Sequence, residues 1–276
     1  MKQDIEKIKG KRAEVWWFFL IAIGFTWLFQ LPQTLDSRGI IKSPAFLLQL
    51  VRYLPAFGPF FAAFLLTFLS DGMRGIKALL KKGWDTKFGK IWWIPILLLL
   101  PAMEGLTVLL ARLIGGEVFP DLEIFTQPLS YTKASLSLLF LAALEEYGWR
   151  GYALDRLQGR WNALTSSLIL AAFWGPWHLQ QWFMGGRDVP FFAFWYGIVM
   201  EAILLTWIYN NTKRSLLPVI IVHTLFNSQI FPTWNTPLSA MLFVLIWTIV
   251  TITIIFVWGP RRLSRQPSND KLSPEG

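Results

Sequence analysis

Hydrophobic positions along this 276-residue chain come in unbroken blocks, not as alternating or one-sided patterns. Eight blocks stand out, at roughly 15–31, 45–69, 91–114, 134–154, 162–183, 190–210, 215–231 and 237–258. Most are close to the roughly 20 residues a helix needs to cross a hydrocarbon core of about 30 Å. A water-soluble core would show shorter, amphipathic stretches instead. The pattern predicts an all-α fold, a polytopic membrane helical bundle of about eight transmembrane helices. The expected division is a cytoplasmic segment over 1–14, one membrane domain over 15–258 and a polar cytoplasmic tail over 259–276. No internal repeat or inserted soluble domain interrupts it.

Composition supports this reading. Charged residues make up 16% of the chain, below the roughly 25% usual in soluble domains, and mean hydropathy is +0.44. The net charge of +9 raises the question of nucleic acid, but the basic residues form clusters between apolar blocks, not a face or stripe. Alternating the spans puts 19 Lys and Arg residues on one side of the membrane and 4 on the other. That bias places both termini in the cytoplasm, the expected setting being a cell membrane with anionic lipid headgroups as partners. The basic N-terminus resembles a signal peptide, yet the apolar run Val15–Leu31 is long and no small-residue cleavage site follows, so it reads as a retained first span. With no cysteine, disulfides, thiolate nucleophiles and cysteine-ligated zinc are excluded. Tryptophans at predicted span ends (Trp16, Trp17, Trp92, Trp93 and Trp258) suit interfacial belts.

Ionisable groups inside spans need a reason, since each costs about 2.5–3.5 kcal/mol at a helix centre on insertion scales. The densest set, Glu145, Glu146 and Arg150, lies in LEEYGWRGYAL. Glu146 and Arg150 are four apart with the acid first, the favourable order for a helical ion pair. Glu145 points about 100° away. Desolvated beside a second carboxylate, it is the one expected to favour its neutral form, while Arg150 holds Glu146 ionised. Such unequal neighbours suit a general base and its orienting partner; the competing reading is a buried structural pair.

The two histidines of the chain also lie in spans. His178 follows Pro176 in AAFWGPWHLQQWF, where a distorted turn is expected, and irregular backbone at membrane depth is tolerated where it lines a polar cavity. Trp174, one turn earlier, is expected to form an apolar wall. His223 shares a helix face with Asn227, and a neutral imidazole and an amide can both donate to a carbonyl oxygen. The alternative is an interhelical clasp worth about 0.6 kcal/mol. Glu201 is expected either to pair with an arginine or to line the same cavity, Glu104 and Arg112 to be structural, and Arg52 to snorkel.

Several mechanisms lack their motifs: no HExxH, GxSx or GxGD, no P-loop and no dinucleotide fingerprint is present. What remains is a glutamate able to activate water beside groups able to stabilise an oxyanion. At these residues the chain resembles the CPBP family, the CAAX proteases and bacteriocin-processing enzymes, which include Abi and lysostaphin-resistance-like proteins. EEYGWR is similar to its EExxxR motif, WGPWH to FxxxH with Trp174 in place of phenylalanine, and HTLFN to HxxxN/D. The resemblance, over about 140–230, implies an eight-helix intramembrane peptidase with a cytoplasm-facing cavity. It implies Glu145 as the water-activating base, His178 sharing that water, His223 and Asn227 as the oxyanion site, and Glu146 with Arg150 organising the whole. The Trp174 departure is expected to affect packing and substrate shape.

Two histidines and a glutamate suffice for a catalytic zinc with an open position, and the same groups can act on water without metal; both readings stand at this point. The expected activity is hydrolysis of membrane-associated peptides, with prenylated CAAX-type and leader peptides as candidates. The alternatives are a catalytically silent scaffold or immunity protein and a proton-coupled transporter, the latter without the inverted repeats such proteins show.

Overall fold

The computed structural model describes residues 2–116, 126–186, 189–228 and 236–265. The described residues are helical with no strand. In chain order the helices are α1 (Lys2–Ser37), α2 (Ala45–Val51), α3 (Gly58–Lys82), α4 (Trp93–Leu113), α5 (Pro128–Gly148), α6 (Asp155–Gln158), α7 (Ala163–Trp177), α8 (Gln180–Phe183), α9 (Phe191–Asn211), α10 (Leu216–Ser228) and α11 (Pro237–Trp258). Each of the eight apolar blocks coincides with helix. Their last residues at 229–231, and the tail beyond 265, lie outside the described residues.

Five helical stretches are long and apolar enough to cross a membrane: 14–37, 45–82, 90–113, 191–211 and 237–258. The three blocks missing from that set are α5, α7 and α10, which carry the candidate motifs. α7 has 15 residues and α10 has 13, while α5 runs into charged residues. α7, α10 and the last turns of α5, from Ala142, carry the buried side chains of this group. α5 packs on α3 and α10, α7 packs on α9, and α1 and α11 close the outside against α3 and α4. The outer helices present apolar side chains outward, Phe256 at 83% exposure among them, as a lipid-facing surface requires.

Element boundaries depart from the expected ones in three places. The second block is broken internally: α2 ends at Val51, a 3-10 turn over Leu54–Phe57 follows, and α3 begins at Gly58. Pro55 and Pro59 punctuate the chain there, consistent with proline's lack of a backbone donor. The basic segment from 70, expected as a loop, is helical to Lys82 across a kink at Gly72, whose φ of 60° favours glycine. The fifth block ends early, at Trp177, with Pro176 in its last turn and α8 as a separate four-residue turn.

α5 does not stop at Gly148 but widens into a π-helical turn over Trp149–Leu154, all six residues buried. Such turns insert a residue and re-aim side chains, and they recur at functional sites. Close packing permits it here: a β-carbon at Gly148 would stand 2.5–2.6 Å from Pro59 of α3. The turn is clamped at its far side by Lys82, which bonds the Gly151 carbonyl at 3.3 Å and pairs with Asp155.

Candidate active site

Helices α5, α7 and α10 bring Glu145, Glu146, Arg150, Trp174 and His223 into one buried cluster. Glu146 is its hub. Its Oε1 accepts from Arg150 Nη1 at 2.7 Å and meets His223 Nδ1 at 2.8 Å, so the carboxylate joins α5 to α10. Glu146 and Arg150 are fully buried, and His223 is 4% exposed. The i,i+4 pair is as the sequence implied. The imidazole bond was not legible there, because it links residues 77 positions apart.

Trp174 is more than the wall expected of it. Its indole N–H donates to Glu145 Oε2 at 2.9 Å, and the Arg150 guanidinium lies 4.3 Å from its ring centroid. Its ring also stands edge-on to His223, 5.5 Å between centroids. One side chain thus orients the candidate base, supports the arginine and walls the histidine. A desolvated cation over a tryptophan face gains about 2 kcal/mol, and a charge-assisted bond is roughly twice as strong as a neutral one. The signal for this was present as the tryptophan standing where the family motif has phenylalanine.

His178 caps the end of α7 beside this group, with φ −82° and ψ −9°. Its ring lies 6.4 Å from that of Trp174, against Trp177 at 4.5 Å and Phe194 of α9 at 5.1 Å. Gln181 Nε2 sits 3.1 Å from His178 Nδ1. An amide nitrogen only donates, so Nδ1 accepts and a neutral ring carries its proton on Nε2. Pro176 and the short α8 together set this geometry, as Gln181 is placed by the turn that follows the proline.

Asn227 lies on the same face of α10 as His223 but one turn nearer the helix end, where it is exposed. It lines a cavity of about 350 Å³ with Glu201 of α9 and Glu104 of α4. The remaining lining is apolar, including Phe194, Phe226 and Trp247. Glu201 is 7% exposed and belongs to the wall of this cavity. Glu104, expected as a structural group, stands in the same wall. Arg52 is exposed and lies against its neighbour Tyr53.

Among the described residues no group of three His, Asp or Glu side chains is arranged to hold a metal ion. His223 turns Nδ1 to Glu146, His178 turns Nδ1 to Gln181, and Glu145 is held by Trp174. The chemistry below is derived from these side chains.

A helical membrane bundle with carboxylates, histidines and an arginine at its centre is a setting that peptide hydrolysis within a membrane requires. Residues 128–229 match the family described as "Type II CAAX prenyl endopeptidase Rce1-like". A relative named "CAAX prenyl protease 2", from Methanococcus maripaludis, is 29% identical over 181 residues, covering 61% of this chain and 67% of its own. Over these residues the chain is similar to the CAAX-protease-like membrane peptidases. The matched stretch contains every residue of the cluster.

Proposed function

We propose that this protein is an intramembrane endopeptidase that cuts membrane-associated peptides with a water activated by Glu145. The observation that carries the reading is the Trp174–Glu145 bond inside a buried, charged cluster. It fixes one carboxylate oxygen by a donor, which favours a single carboxylate orientation, while Arg150 is occupied by Glu146. Glu145 is the carboxyl not neutralised by a direct partner cation, and it takes the proton from water as that water attacks the peptide carbonyl. General-base catalysis of this kind contributes about 10²- to 10⁴-fold.

His223 and Asn227 receive the developing oxyanion. Glu146 Oε1 also accepts from Arg150 Nη1, so the His223 Nδ1 facing it is the donor. A neutral ring would then leave Nε2 as an acceptor. Donation from Nε2 as well takes a ring protonated on both nitrogens, and His223 acts on the oxyanion in that form. His178, with its proton on Nε2, donates to the attacking water or the substrate carbonyl and leaves proton abstraction to Glu145. Glu146 and Arg150 act as positioning residues.

The relative's name points to CAAX-type substrates, and we extend that class to this chain as the first to test. Purified protein is offered one C-terminal peptide in prenylated and unprenylated forms, with products read by mass spectrometry. Cleavage upstream of the terminal tripeptide in the prenylated form supports the assignment. Efficient cleavage of the plain peptide alone would reassign the substrate to leader-type sequences, and no cleavage of either would favour a silent scaffold.

A further inference from the structure

The cavity between α4, α9, α10 and α11 contains a carboxylate that the proposed reaction does not use. Glu201 is buried in its wall, and its Oε1 has no hydrogen-bond partner among the described residues. An unpartnered buried polar atom costs about 1–3 kcal/mol, more when charged, and so calls for an explanation. Arg150 Nη1 and His223 Nδ1 both bond Glu146, not Glu201. The rest of the lining is mostly apolar, Ala193, Phe194, Ile198, Phe226 and Trp247 among it, with Glu104 and Asn227 as the other polar side chains. An apolar cavity walled in part by carboxylates matches a linear alkyl chain that ends in a cation.

We propose that Glu201 is a specificity residue that receives the ammonium of a lysine side chain from the bound peptide. The proposal rests on the peptidase reading for its ligand. Depth selects lysine over an aminolipid headgroup: Glu201 is the eleventh of the 21 residues of α9, about 15 Å from either end at 1.5 Å per residue. Headgroups lie at the interface, whereas a lysine on a peptide drawn to this depth reaches Glu201 along its four methylenes. The cavity also abuts the reaction site, since Phe194 in its wall packs on His178 and Asn227 is shared by both. The recognised lysine thus lies near the scissile bond.

The test separates this site from catalysis. Full-length protein in detergent is titrated with n-hexylammonium and with n-hexanol while its melting temperature is followed. In wild type the ammonium should stabilise at tenfold or more lower concentration than the alcohol, and Glu201→Gln should erase that difference. Ala193→Leu keeps the carboxylate but fills the cavity from an exposed position, and should erase it too. This second variant carries the test if Glu201→Gln does not fold. Equal potency of the two probes in wild type, or a preference surviving both substitutions, overturns the proposal. For turnover, Lys and acetyl-Lys versions of a cleaved peptide should differ at least tenfold in kcat/KM in wild type and not in Glu201→Gln. Ammonium binding without any peptide cleavage would sink the peptidase reading and leave a cation site; cleavage indifferent to lysine would do the reverse.

Discussion

At the residue scale, the cluster works because each side chain limits its neighbour. Trp174→Phe keeps a ring under Arg150 but removes the N–H that holds Glu145 Oε2. The expected outcome is a fall in kcat of about tenfold with KM nearly unchanged, consistent with loss of a charge-assisted bond of about 1.5–3 kcal/mol only partly expressed in the transition state. A proportional change in KM would assign Trp174 to substrate shape instead. Arg150→Ala leaves Glu146 buried without its guanidinium, at a cost of about 3–5 kcal/mol. Arg150→Lys should not rescue it, because an ammonium lacks the planar stack on Trp174; thermal melts of the three proteins decide. Sequence made Glu145, Glu146, Arg150, His178, His223 and Asn227 visible because each is expensive in a membrane. It did not reveal that Glu146 serves both Arg150 and His223, nor that Trp174 donates to Glu145, since contacts between helices leave no local periodicity.

At the element scale, the site helices are those least able to span a membrane on their own. α7 and α10 are short, and α5 ends in a π turn, so all three depend on the outer helices for an apolar surround. α5 and α3 approach closely at Gly148, where an added methyl meets the backbone of Pro59 as well as its side chain. Gly148→Ala should therefore push the two helices apart, with a loss of folded protein in detergent-resistance assays. The exposed Gly24 faces open space, and Gly24→Ala should be tolerated. The apolar blocks announced helices with little ambiguity, because twenty consecutive apolar residues have few other uses. The break between α2 and α3 and the continuation of α3 to Lys82 were hidden. The first depends on a proline-rich turn inside an apolar run, and the second on an amphipathic helix that a hydropathy block does not cover.

At the scale of the whole molecule, the loops assigned to one side by their basic residues do gather at one end of the bundle. Asn210 bonds Gln158 and the Arg262 carbonyl, Arg156 reaches Glu14, and Arg214 reaches Asp155. The cavity with Glu201 and Asn227 lies toward the other half, near the start of α9. The charge bias predicts cytoplasmic termini. The absence of native cysteine makes this directly measurable: single cysteines at Lys213 and Lys133 should label with an impermeant maleimide from opposite sides, Lys213 from the cytoplasm. Labelling of both from one side would refute the eight-span alternation. The central claim, that a buried glutamate on α5 activates water for peptide hydrolysis, is tested most directly by turnover of a quenched peptide library by purified wild type and Glu145→Gln. Cleavage by wild type, falling by about 10²- to 10⁴-fold in a folded Glu145→Gln, is the predicted result. Equal turnover by the two proteins, or none from a folded wild type on any peptide offered, would contradict it.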